Sequence, residues 1–207
     1  MILEVLKFPD PRLREVSKEV TQFDQKLKTL SENMLETMYG ENGVGLAAPQ
    51  VGELIRMLVI DTRPRDTGGR YEENQLEPLE SMVQQPLVII NPEIVSHDGK
   101  TTYDEGCLSV PSFYETVDRF KVIELKYFDV TGKECRIQTD GLLSICIQHE
   151  MDHLEGTLFI DHLSFLKSNK IKNHIKKYGY PPKGSRSRGD GKNAETEDEL
   201  EPVEGKK

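Results

Sequence analysis

Two periods of apolar and polar positions alternate along the chain. Leu27, Leu30, Met34, Leu35 and Met38 recur at intervals of three and four, which predicts an amphipathic helix over roughly 24–41. Gly43, just past its end, is the expected left-handed cap. Shorter apolar runs bounded by turn residues predict strands at 56–61 and 87–90, the second ended by Asn91-Pro92. Ile94-Val95 and Thr101–Tyr103 on either side of Asp98-Gly99 suggest a hairpin. A second hairpin is expected from 120–128 and 134–139 around Asp129-Val130-Thr131-Gly132-Lys133. Leu142, Leu143, Ile145, Cys146, Ile147 and Leu154 then give apolar bulk to a helix, with Asp140 placed to cap it and Gly156 to stop it. A last helix over 161–178 has Leu163, Leu166, Ile171 and Ile175 as its apolar stripe. Residues 1–20 look like an extended arm with a turn at Asp10-Pro11.

Two stretches break these patterns. Residues 63–86 open with Arg63-Pro64-Arg65-Asp66-Thr67-Gly68-Gly69-Arg70 and read as a long surface loop or an insertion between strands. Residues 181–207 have only Ala194, Leu200 and Val203 as aliphatic residues besides prolines, and read as a disordered polar tail. At 207 residues the chain is expected to hold one domain, 1–180, followed by that tail. A net charge of −9 and a pI near 5.2 argue against a generally basic nucleic-acid binder. Locally the balance reverses: Lys167, Lys170, Lys172, Lys176 and Lys177 make the last helix basic, a solvated face or a contact for an anionic partner. No secretory signal and no apolar run of membrane-spanning length is seen. The three cysteines, Cys107, Cys135 and Cys146, read as thiols of a reducing cytoplasm rather than as a disulfide framework.

The candidate chemistry centres on Gln148-His149-Glu150-Met151-Asp152-His153. Residues four apart share a helix face, so His149 and His153 can grip one divalent metal, and Glu150 can reach a water upon it. The bland alternative is a buried helix with two satisfied core histidines. A hydrolytic centre needs a third protein ligand. Phe159 stands where a longer zinc-protease pattern has its third histidine. Glu155 and Asp161 follow too closely for a distant carboxylate ligand, which disfavours them without ruling them out. Cys146 shares the helix face, but seven residues of helix rise about 10 Å, so Cys146 and His153 cannot both bind one ion. Cys107, in Glu105-Gly106-Cys107-Leu108-Ser109-Val110-Pro111, is left as the third ligand. Upstream, Gly43-Val44-Gly45-Leu46-Ala47-Ala48 matches a dinucleotide fingerprint superficially. The required strand-then-helix order is reversed here, so that reading fails. The small residues instead suggest a backbone left bare for close approach.

Taken together and in order, GVGLAAPQ (43–50), EGCLS (105–109) and QHEMDH (148–153) resemble the three signature motifs of bacterial peptide deformylases, over roughly residues 1–178. The resemblance implies an α+β fold, with small antiparallel sheets packed around the metal-binding helix and a C-terminal helix. It implies hydrolysis of the formyl group from amino-terminal formylmethionine of new polypeptides. Cys107, His149 and His153 would hold ferrous iron, with zinc, nickel or cobalt as substitutes. Glu150 would carry the proton, and the Gln50 amide and Leu108 backbone N–H would hold the oxyanion. Val44, Val110, Leu142, Ile145 and Cys146 match the methionine pocket, and Val44-Gly45 offers an edge to the peptide backbone. The basic helix matches a position used for ribosome docking.

Overall fold

A computed structural model describes residues 1–63, 76–182 and 185–187. Its frame is one five-stranded antiparallel sheet in the order β1-β2-β3-β4-β5: β1 Gly45–Ala47, β2 Met57–Ile60, β3 Leu87–Cys107, β4 Val110–Phe128 and β5 Glu134–Thr139. The helices are α1 Gln25–Gly40, α2 Gly141–Leu154 and α3 Phe165–Tyr178. The unbroken apolar run of β2 is explained by burial on both faces. Met57 and Val59 join Met34 and Met38 of α1 in one core cluster. Leu58 and Ile60 turn the other way, toward Leu143, Cys146 and Ile147 of α2. A third cluster lies where Val110, Phe113 and Val117 of β4 meet Ile171 and Ile175 of α3.

Several local expectations are corrected. The helix after residue 24 ends at Gly40, but the left-handed residue is Asn42 (φ 58°), not Gly43. Gly43 has another reason to lack a side chain: a Cβ there would lie 2.9 Å from Leu108 Cδ1. Asp98-Gly99 is not a hairpin turn. The strand runs straight through it, Asp98 pairing with Val122 and Lys100 with Phe120. Likewise Asn91-Pro92 bends β3 without ending it. Asn91 takes a positive φ of 49°, and its side chain bonds both the N–H and the C=O of Val20 at 2.9 Å. The irregularity is thus pinned to the N-terminal arm. On α3, Leu166 faces solvent rather than the core, at 78% exposure.

The start of α2 is organised differently from the sequence reading. Asp140 is the residue before the helix but does not cap it with its side chain. It accepts instead from the backbone N–H of Glu80 at 2.9 Å. Glu80 in turn caps α2, its two carboxylate oxygens accepting from Leu142 N and Leu143 N at 3.1 Å. It also accepts from Thr62 Oγ1 at 2.5 Å. A buried carboxylate therefore satisfies amides that the first turn of a helix leaves without partners. It comes from the 63–86 stretch, whose residues 64–75 lie outside the described ones.

Beyond α3 the chain turns back. Tyr180 donates to the carbonyls of Phe8 and Ser109, at 2.5 and 3.3 Å. Of the stretch 181–207 expected as a tail, residues 181–182 and 185–187 are described and the rest lie outside the described residues; Ser187 forms a parallel bridge to Phe113.

Candidate metal centre

Helix α2 brings His149 and His153 to one face, and the end of β3 carries Cys107 to them. The ligand atoms of these three residues all lie within 4.8 Å of one another. Cys107 Sγ is 3.3 Å from His153 Nε2. The rings of the two histidines stand edge to face, 5.1 Å apart. One thiolate and two imidazoles suit a borderline divalent cation and leave a fourth position open, so the donor set fits a metal.

The surroundings fix the ring nitrogens. His149 Nδ1 is 2.8 Å from Glu105 Oε2. Burial raises the Glu105 carboxyl, but the guanidinium of Arg119 and the imidazole of His149 outweigh it and hold the group at about 2. An ionised carboxylate can only accept, so Nδ1 carries the proton and Nε2 is free for the metal. Arg119 grips Glu105 through two bonds of 2.6 and 2.9 Å. It also donates to Asp152 at 2.8 Å, which in turn lies 2.6 Å from His162 Nε2. Burial above all holds His153 well below the ordinary histidine range.

Glu150 is buried, and burial pushes its carboxyl up to about 7. Its Oε2 has no hydrogen-bond partner among the described residues. Strand β1 passes directly over it: a Cβ on Gly45 would lie 2.5 Å from Glu150 Oε1 and 2.7 Å from Cys146 Sγ. This close approach is what the bare GVG backbone permits. Gln50 sits in a 3₁₀ turn immediately after β1. Its Oε1 accepts from Ala47 N at 2.7 Å, which aims Nε2 at Ser109 Oγ (3.1 Å) and Cys107 Sγ (3.7 Å).

The remaining expected residues differ in exposure. Val44 is half-exposed beside Gly45, while Ile145 and Cys146 are buried on the helix below. Burial, and then the charge of Glu150, push the Cys146 thiol up. Leu142 is partly buried at the start of α2. Val110 is fully buried, in the cluster beneath α3 that Cys107 borders. Leu108 is partly buried and touches the Gly43 backbone.

The sequence reading assigned no role to Glu105, Arg119 or Ser109. Glu105 was visible as a carboxylate two residues before the cysteine. Arg119 carried no local signal, because a strand register brings it to Glu105.

A family model described as polypeptide deformylase matches residues 2–169. A protein of Alkalilimnicola ehrlichii named peptide deformylase is 44% identical, covering 85% of this chain and 90% of its own. The crystal structure of a peptide deformylase from Legionella pneumophila is 42% identical and superposes with a TM-score of 0.73, over 86% of this chain and 95% of that one. A peptide deformylase from Ehrlichia chaffeensis in complex with actinonin is 39% identical, with a TM-score of 0.73 over 86% and 98% of the two chains.

Proposed function

The chain belongs to the polypeptide deformylase family and removes the N-formyl group from newly made polypeptides, and we propose that it does so at Cys107, His149 and His153, acting on amino-terminal formylmethionine and releasing formate. The observation that carries this assignment is the buried, unpartnered Glu150 Oε2 beside three ligand atoms within 4.8 Å of one another. A divalent ion there, ferrous iron or in its place zinc, nickel or cobalt, supplies Lewis-acid chemistry and brings the pKa of water toward neutrality.

The chain's own residues do the rest. Glu150 Oε2 takes a proton from the attacking water and returns it to the departing amine. Gln50 Nε2, held by the Ala47 N–H bond to its oxygen, donates to the developing oxyanion together with the Leu108 N–H. Strand β1 lies at the end of the sheet, so Val44-Gly45 offers an edge to the peptide, and main-chain pairing there tolerates varied sequence after methionine. Val44, Val110, Leu142, Ile145 and Cys146 form the methionine wall. Cytoplasmic work on nascent chains suits the basic face of α3, where exposed Phe165 and Leu166 stand near Lys167 and Lys170. A ribosome contact there predicts weaker ribosome binding for Lys176→Glu/Lys177→Glu; unchanged binding would count against it.

The test of the mechanism is Glu150→Gln, purified anaerobically. It should keep one equivalent of metal and lose at least about 10²-fold in turnover. Retained turnover would rule out the proton carrier.

A further inference from the structure

We propose that Arg186 is a substrate-binding residue, donating to an oxygen of the peptide that follows the formylated methionine. The inference rests on the deformylase reading and extends it to a residue beyond the stretch that the family model matches, 2–169.

The starting point is a register break at the metal ligand. Strand β3 pairs Glu105 with Glu115 but Cys107 with Val110, so residues 111–114 bulge from β4 opposite Gly106. Ser112 takes a φ of 69° within the bulge. A bulge leaves ladder groups without strand partners, and here the returning chain supplies them. Ser187 N donates to Ser112 O at 2.7 Å, and Ser187 O accepts from Tyr114 N at 3.0 Å. These two bonds set the backbone beside Arg186.

The side chain of Arg186 then lies on the ring of Tyr114, its guanidinium carbon 4.4 Å from the centroid. That ring is itself packed on the active-site backbone: a Cβ on Gly106 would lie 2.8 Å from Tyr114 Cδ1. Cys107, Gly106, Tyr114 and Arg186 thus form one continuous wall, running outward from a metal ligand to an exposed cation. Among the described residues Arg186 has the Tyr114 ring and no carboxylate. A guanidinium held over an aromatic ring still has N–H donors to offer a further acceptor. In a chain of net charge −9, this wall ends in a cation that no carboxylate meets among the described residues.

Position selects the ligand. An extended peptide advances about 3.3 Å per residue, and the guanidinium carbon stands 4.4 Å from the centroid of a ring that itself rests on Gly106. It therefore meets substrate past the methionine, at a main-chain carbonyl or a terminal carboxylate.

The test uses the full metal-loaded chain under anaerobic conditions with formyl-Met amide, formyl-Met-Ala-Ser and formyl-Met-Ala-Ser amide. Arg186→Ala should raise KM for formyl-Met-Ala-Ser about tenfold, the scale of one charged hydrogen bond. Its kcat should stay within about twofold, and formyl-Met amide should be unaffected. Arg186→Lys should recover part of the loss. Ser187→Pro, which removes the N–H bonded to Ser112, should reproduce the Arg186→Ala pattern. A loss that persists with the tripeptide amide assigns the contact to a main-chain carbonyl; a loss confined to the free acid assigns it to the carboxylate. An unchanged KM, or equal losses on formyl-Met amide and the tripeptide, overturns the proposal. If the unmodified chain releases formate from none of the three, the deformylase reading itself fails and takes this inference with it.

Discussion

At the scale of single residues, the site depends on groups that hold other groups. Gln50 presents its amide nitrogen because Ala47 N–H occupies its oxygen at 2.7 Å. Gln50→Ala should lower kcat/KM by about 10²-fold, the worth of one oxyanion donor, and thermal melting alongside the kinetics separates that from loss of the Ala47 bond. Glu105 holds two partners at once, His149 and Arg119. Glu105→Gln leaves the Arg119 guanidinium buried with only part of its charge compensated, and breaking a buried pair costs about 3–5 kcal/mol. We expect a lower melting temperature and metal affinity weaker by about 10- to 100-fold, read by a competing chelator. Of the candidate ligands, His149 and His153 were legible as a pair in the sequence, because helix periodicity alone puts them on one face. Arg119 was not legible, because its partner is set by the register of β3 against β4.

At the scale of elements, the helix that carries His149 and His153 is held at its start by a residue from a separate stretch. The apolar pattern from Leu142 onward predicts α2 well, since both its faces are largely buried. The pattern also suggested Asp140 as the cap, a sound local inference that tertiary structure overrides. Asp140 accepts from Glu80 N, and Glu80 does the capping. A surface-loop reading of 63–86 could not anticipate this, because the segment's apolar content is low and its key residue is a carboxylate. Glu80→Ala should destabilise the protein by about 1–2 kcal/mol, the scale of a lost cap, and circular dichroism melting measures it. Because α2 carries both histidines, the same variant should release metal faster. Unchanged melting would mean that water replaces the carboxylate fully.

For the whole molecule, the α+β character was legible, but the continuity of its sheet was not. Residues 91–92 and 98–99 look like chain breaks in sequence, and each is absorbed within one long strand, the first by a bond from Asn91 to the N-terminal arm. That arm is tied to the C-terminal part through Asp161, which pairs with Arg14 and Lys172. Burial raises the Asp161 carboxyl, but the bonds from Arg14, Leu158 N and Lys172 hold it below its ordinary 3.8. The folded chain therefore binds this proton less readily than the unfolded one. The resulting stability is complete above pH 3.8 and is lost as the pH falls through the lower folded value. Asp161→Asn should be less stable than the unmodified chain at neutral pH, with the gap closing in acid; a gap independent of pH would exclude the linkage. The central claim is more direct: this site hydrolyses a formyl amide and no other. Anaerobically purified, metal-loaded protein should release formate from formyl-Met-Ala-Ser and leave acetyl-Met-Ala-Ser intact. Release of no formate, or cleavage of internal peptide bonds, would contradict the account.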